Sequence, residues 1–160
     1  MEHMNLPTYI TGTIQTRAYV ILRENVFYVL NSHNVTTTQW SMLGITLEAK
    51  DGIRQADVAK KMNVKPPLIT VLVRQLEERK LLQTAPNQFD ARAKLLSVTS
   101  DGKKFIKTTE LELHKVIDKL LVGLTEKDLI TYHKVLNTII ANDLTNKKHQ
   151  NSISKTKINK

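Results

Sequence analysis

The sequence predicts a mainly α-helical fold with one small β-hairpin, and three observations lead there. Apolar residues recur at spacings of three and four along most of the chain. Capping residues, prolines and turn residues cut it into helix-sized segments. Strand character is confined to Ile53 and to two short runs, "LLQTA" (81–85) and "AKLLSV" (93–98).

Residues 7 to 32 place Ile10, Ile14, Ala18, Ile21, Leu22, Val26, Val29 and Leu30 at helical spacing, with Pro7 suited to a first turn. A helix of that length would run roughly 37 Å, more than a compact domain of this size needs, so part of it should project. In "NVTTTQW", Thr36 with Gln39 three residues on reads as a reciprocal capping box. The helix it opens should bury Trp40, Leu43 and Leu47 and close in a turn at "KDG" (50–52). A third helix follows with Ala56, Val58, Ala59 and Met62, and Asn63 suits the left-handed residue that ends it. Pro66 and Pro67 lack N–H groups, which costs nothing only in a first turn, so the fourth helix starts at Lys65 or Pro66. Leu68, Ile69, Leu72, Val73 and Leu76 form its expected inward stripe. Pro67, Thr70, Val71 and Arg74, spaced i, i+3, i+4, i+7, share the opposite face.

Between the strand runs, "PNQFDAR" reads as the polar tip of a hairpin, with Asn87 to Ala91 turning the chain. Thr99 or Ser100 caps a fifth helix, which runs to about Val122 through Phe105, Ile106, Thr109, Leu113, Ile117, Leu120 and Leu121. Thr125 and Asp128 cap a sixth, with Leu124 able to staple onto Leu129. It should bury Leu129, Tyr132, Leu136, Ile139, Ile140 and Leu144. Residues 145–160, rich in Asn, Ser, Thr and Lys, are expected to form a disordered basic tail. The organisation expected is thus a single domain over 1–144, with helices at 7–34 and 100–144 flanking a lobe at 36–99.

The chain has 160 residues and no cysteine, which excludes thiolate metal sites and disulfides. No apolar run approaches the roughly 20 residues of a membrane span, and "MEHMNLPTYI" lacks a signal core, so a cytoplasmic protein is expected. The net charge of +9 is concentrated: residues 53–104 carry eleven basic groups against five acidic, and the tail adds five lysines and no acid. The two remaining segments, 1–52 and 105–144, are each at −1. A polyanion is the natural partner of such a block. P-loop, dinucleotide-glycine, Gly-x-Ser-x-Gly and His-Glu-x-x-His motifs are missing, so neither catalysis nor a cofactor is expected. Glu110 and His114, at i, i+4, would hold a metal only if His33 or another acid came near. Paired or exposed side chains are the expected state.

Two short helices joined by a tight turn and followed by a hairpin constitute a winged helix-turn-helix, whose second helix enters a major groove. Thr70 and Arg74 carry groups that hydrogen-bond base edges or phosphates, Pro67 and Val71 suit a thymine methyl, and Lys65 adds phosphate attraction. The long first helix and the fifth cannot both bury their stripes on one small winged core, which predicts a homodimer.

From about Leu6 to Leu144 the sequence resembles the MarR family of bacterial transcriptional regulators. The most specific stretches are "QADVAKKMNVKPPLITVLVRQLEERKLL" and "DARAKLLSVTSDGKKF". The second carries the family's wing pattern at Asp90, Arg92, Thr99 and Gly102. By this resemblance Arg92 reaches a minor groove, Asp90 helps hold the wing, Lys94 lies beside them, and helix contacts fall at Lys65, Pro67, Thr70, Val71 and Arg74. Three positions depart from the pattern: Lys80 replaces the usual glycine, so a left-handed residue there is strained or the turn differs; Arg54 replaces a small hydroxyl cap; and Val71 replaces a polar or basic residue. The resemblance implies a ligand- or signal-responsive repressor on a pseudo-palindromic operator in double-stranded DNA. Its dimer would be built from the first and the last two helices. Some relatives bind aromatic acids, and Tyr19, Tyr28, Trp40 and Tyr132 are candidates to line such a cavity, with core packing the plainer role for each. The competing reading is a non-sequence-specific DNA-coating or protein-interaction module, favoured by the lysine-rich tail.

Overall fold

The computed structural model describes the backbone of residues 8–87 and 90–158 and the side chains of residues 9–86 and 94–143. In chain order the elements are α1 (Thr8–Ser32), α2 (Thr37–Glu48), β1 (Ile53–Arg54), α3 (Gln55–Met62), α4 (Pro66–Glu78), β2 (Leu82–Asn87), β3 (Asp90–Val98), α5 (Ser100–Leu120) and α6 (Glu126–Ile158). The chain divides into two units, Met1–Leu120 and Leu121–Lys160.

Local chemistry accounts for most boundaries in the first unit. The Thr36 hydroxyl accepts from the Gln39 backbone amide at 3.1 Å, and the Gln39 side-chain oxygen, Oε1, accepts from the Thr36 backbone amide at 2.9 Å, closing the capping box of α2. Asn63 ends α3 in the left-handed region at φ 52°, and α4 begins on two prolines behind Lys65. Arg54 caps α3 with backbone only, its side chain lying 3.3 Å from Asp57 instead.

The sheet order is β1-β3-β2, antiparallel throughout. Pro86, which has no N–H to donate, sits on the edge strand β2, where a missing donor is tolerated. β2 and β3 pair in register from Leu82↔Val98 to Pro86↔Lys94, then shift so that Asn87 faces Asp90. The strands therefore extend further than expected, since Asp90 and Ala91 belong to β3 rather than to a turn. Ala91, Arg92 and Ala93 occupy the shift.

Met42, Leu43, Val58, Ile69, Leu72, Val73, Leu76, Leu96 and Ile106 join the two sides of this lobe in one buried core. Each such side chain contributes about 1.5–3 kcal/mol on burial. Two of the expected core residues are outside it: Leu47 and Leu68 are 39% and 42% exposed, and Trp40 is only half-buried against its edge. Both leucines lie at the border of an apolar stripe, where spacing alone does not decide which way a helix rotates. In α1 only Leu30 is fully buried; the stretch from Tyr9 to Tyr19 is exposed, as a helix too long for its core requires.

The first turn of α5 lies directly on the chain leaving α4. Thr99 accepts from the Gly102 amide at 2.9 Å and donates its own hydroxyl to the Lys80 carbonyl at 2.6 Å. A Cβ on Gly102 would stand 2.1 Å from the Leu81 oxygen and 2.7 Å from Val98 Cγ1, so no other residue fits without moving backbone.

In the second unit, the Thr125 hydroxyl and amide both donate to Asp128, at 2.6 and 2.8 Å, and open α6. The hydroxyl bond first, then the amide bond, holds the Asp128 carboxyl below its ordinary value of 3.8. That stabilisation is complete above the ordinary value and is lost as pH falls through the lowered one. α6 then continues to Ile158, correcting the expectation of a helix ending near Leu144 with a structureless tail. Residues 126–158 contain neither Pro nor Gly, so nothing local stops the helix. Leu129 and Leu136 are half-buried, whereas Tyr132, Ile139 and Ile140, expected to be buried, are exposed because one helix has no second face in its own unit to cover them. Leu144's side chain, like Pro7, lies outside the described residues.

Gly102→Ala is expected to destabilise the fold by about 2–3 kcal/mol, read as a lower urea midpoint with an unchanged slope.

Candidate nucleic-acid interface

α4 is held from behind and along its flank. Gln75 accepts from the Gln39 side-chain amide at 3.0 Å, fixing it to α2, and Glu77 accepts from the Thr84 hydroxyl, fixing it to β2. Arg79, its C-cap, donates to the carbonyls of Asn34 and His33 behind α1 and stacks its guanidinium 5.5 Å from the Phe105 ring centroid on α5. His33 in turn meets Glu112 of α5 at 2.9 Å. These positioning groups were not singled out from sequence, because a flank glutamine or arginine carries no signal until its distant partner is known.

The outer face of α4 is free, and the structure gathers Lys65, Pro67, Thr70, Val71 and Arg74 on it, all exposed. Leu68 joins them, having turned out of the core. Arg74 lies 3.8 Å from Glu78 in an exposed i, i+4 pair, a contact too weak to hold it against a better partner. The helix start offers no amides: Pro66 and Pro67 have none, and the Leu68 amide is spent on the Lys65 carbonyl at 3.1 Å. Attraction for an anion at this end therefore rests on the helix dipole and Lys65 rather than on N–H groups.

Lys60 and Lys61 on α3, Lys65 ahead of α4 and Lys103 on α5 are exposed and make no ion pair with another described residue. Lys94 is exposed on β3, next to the register shift that contains Arg92. A shift of this kind bends a strand and increases its twist. The side chains of Asp90 and Arg92 lie outside the described residues.

α4 reaches the wing through one tight turn. Lys80 takes φ 57°, the Lys80 amide bonds the Glu77 carbonyl at 2.8 Å and the Leu81 amide bonds the Leu76 carbonyl at 2.9 Å, a complete Schellman motif. The turn therefore keeps its left-handed form, and lysine carries the strain.

A cavity of about 590 Å³ opens between α1, α2 and the end of α3. Tyr19, Leu22 and Val26 with Ile45 and Met62 supply apolar wall, Arg23 and Lys61 supply positive charge, and Thr37 and Ser41 supply hydroxyls. Of the four aromatic candidates only Tyr19 lines it, with Arg23 5.7 Å above its ring. Tyr28 and Tyr132 are exposed. Among the described residues no cluster of three or more His, Asp or Glu could hold a metal; His114 lies between Glu110 at 3.5 Å and Asp118 at 3.9 Å. No helix in the described residues is long and apolar enough to cross a membrane.

The MarR family model matches residues 33–93, from the end of α1 into β3. The HTH-type transcriptional repressor MdtR of Bacillus subtilis is 25% identical over 101 residues, 63% of this chain, and the match spans 64% of MdtR's length. The fold is similar to that of CouR from Rhodococcus jostii RHA1 bound to p-coumaroyl-CoA, with a TM-score of 0.75 at 22% identity over 85% of this chain and 95% of that one. It is also similar to MepR of S. aureus in complex with DNA, with a TM-score of 0.64 at 21% identity over 87% and 99% of the two chains.

Lys80→Gly is expected to raise stability by about 0.5–1 kcal/mol, measured by thermal or urea unfolding, since glycine removes the left-handed strain at a small entropic cost.

Proposed function

We propose that this chain is a MarR-family regulator, a homodimeric repressor that grips a pseudo-palindromic operator in double-stranded DNA and lets go on a signal; the family match over residues 33–93 and the likeness to MdtR support the reading. The observation that carries the reading is the outer face of α4. Pro67, Thr70, Val71 and Arg74 stand exposed there, inside the internal block, residues 53–104, that carries eleven basic groups against five acidic. In this reading α4 enters the major groove, β2–β3 carries Arg92 and Lys94 to the neighbouring backbone or minor groove, and Asp90 steadies the wing. MdtR's name as a repressor and the solution of MepR with DNA support it by analogy.

The dimer follows from apolar surface. Tyr9 and Tyr28 on α1 are 74% and 73% exposed, and α6 exposes Ile130, Tyr132, Ile139 and Ile140. A second copy would cover such faces, and a two-fold axis would set two α4 helices roughly 34 Å apart, one DNA turn.

The cavity beside α1 suits a small aromatic anion: apolar walls take the ring, and Arg23 and Lys61 take the charge. CouR's p-coumaroyl-CoA is an acyl relative of that chemistry. Met62 and Val64 line the cavity and flank Asn63, the residue that turns α3 into α4, so an occupant would press on the turn that aims the reading helix.

In a fluorescence-anisotropy titration, operator selected from a random pool should bind roughly 10³-fold or more tightly than random duplex. Equal affinities would instead establish the DNA-coating reading. Arg74→Ala and Arg92→Ala should each cost about 1–3 kcal/mol on operator. Lys103→Ala should weaken all DNA alike and lower the salt slope by about one. Adding p-coumarate should release operator from the unaltered protein, and Arg23→Ala should abolish that release while leaving ligand-free binding intact.

A further inference from the structure

The part of α4 nearest its N-terminus is apolar where a reading helix would ordinarily be polar. Pro67 is exposed, and Leu68 and Val71 are 42% and 43% exposed, although the core beneath them is closed around Ile69 and Leu72. Pro67 and Val71 are four apart and Leu68 and Val71 three apart, so the three form one patch over the first turn and a half. Backbone donors are missing from the same place, since two prolines lead the helix and the Leu68 amide is already bonded to Lys65. Thr70 is the one side chain here with a hydrogen-bonding group, and Arg74 lies a full turn further on. Exposed Lys65 directly precedes the patch, within a block (residues 53–104) that carries eleven basic groups against five acidic, which favours a polyanion as its occupant over an apolar protein surface.

A major groove offers one apolar feature at the base edge, the C5-methyl of thymine. We propose that Pro67, Leu68 and Val71 form a thymine-methyl reading patch, so that the operator half-site is specified at these positions by methyl contact rather than by hydrogen bonds. This rests on α4 being the groove helix, and it adds Leu68 as a specificity-determining residue. Placing a polar base edge against the patch would leave the base's donor or acceptor without a partner, and this penalty adds to the preference.

The test uses the full chain and an operator selected from a random duplex pool, with individual thymines then replaced by deoxyuridine, which lacks only the methyl. At thymines facing α4 each replacement should weaken binding about three- to fourfold, the worth of one buried methyl. Leu68→Ala and Val71→Ala should bind the thymine and uracil duplexes alike, with an unchanged thermal midpoint. Leu68→Met should keep the discrimination, and Arg92→Ala should bind more weakly with the discrimination intact. Equal affinity of the unaltered protein for thymine and uracil duplexes, with operator still preferred over random DNA, would overturn the methyl patch alone. A pool yielding no preferred sequence would overturn both the patch and the regulator reading.

Discussion

Gly102 lets the first turn of α5 rest on the Leu81 carbonyl, and four elements meet at that contact. Lys80, the left-handed residue that closes α4, lies one residue upstream, β2 begins one residue downstream, β3 delivers Thr99, and α5 starts there. Thr99 closes the arrangement by holding the Gly102 amide and the Lys80 carbonyl at once. The outer face of α4 and the wing are thereby fixed to one point. A shift there would move both.

The same economy explains what α4 leaves free. Its back is buried through Ile69, Leu72, Val73 and Leu76, its flank is held by Gln75 and Glu77, and its end is held by Arg79. The interactions that fix the helix are spent on one side and at one end. What remains outward is a face whose composition is unconstrained by folding, so its apolar residues report on what it meets rather than on what it packs against. The Arg79 contacts also join α4 to the end of α1 and to Phe105 of α5, both within the first unit, so a change in α1 has a direct physical route to α4.

Sequence alone revealed whatever was decided locally. The Thr36, Thr99 and Thr125 caps, the left-handed Asn63 and the proline start of α4 each depend on residues within a turn of one another, and each stands where spacing placed it. The outer face of α4 was legible for the same reason, except for Leu68, whose position at a stripe border is settled by helix rotation against a core that the sequence does not show. Contacts across the fold were not legible: nothing near Arg79 announces the carbonyls of His33 and Asn34, and nothing near Arg92 announces a register shift set by Asn87 facing Asp90. The length of α6 was misjudged because polar composition was weighed above the absence of any residue that breaks a helix. Of the four aromatic residues offered as cavity lining, Tyr19 is in the wall, while Tyr28, Trp40 and Tyr132 are not.

On the function proposed above, two copies of this chain present α4 and the wing to a specific duplex. Footprinting of a selected operator tests it most directly, with methylation of guanine N7 probing the major groove and hydroxyl-radical cleavage probing the backbone. Two protected major-groove patches one helical turn, roughly 34 Å, apart are expected, each with an adjoining protected stretch where the wing lies. Protection spread evenly along the duplex, with no two-fold pattern, would contradict it.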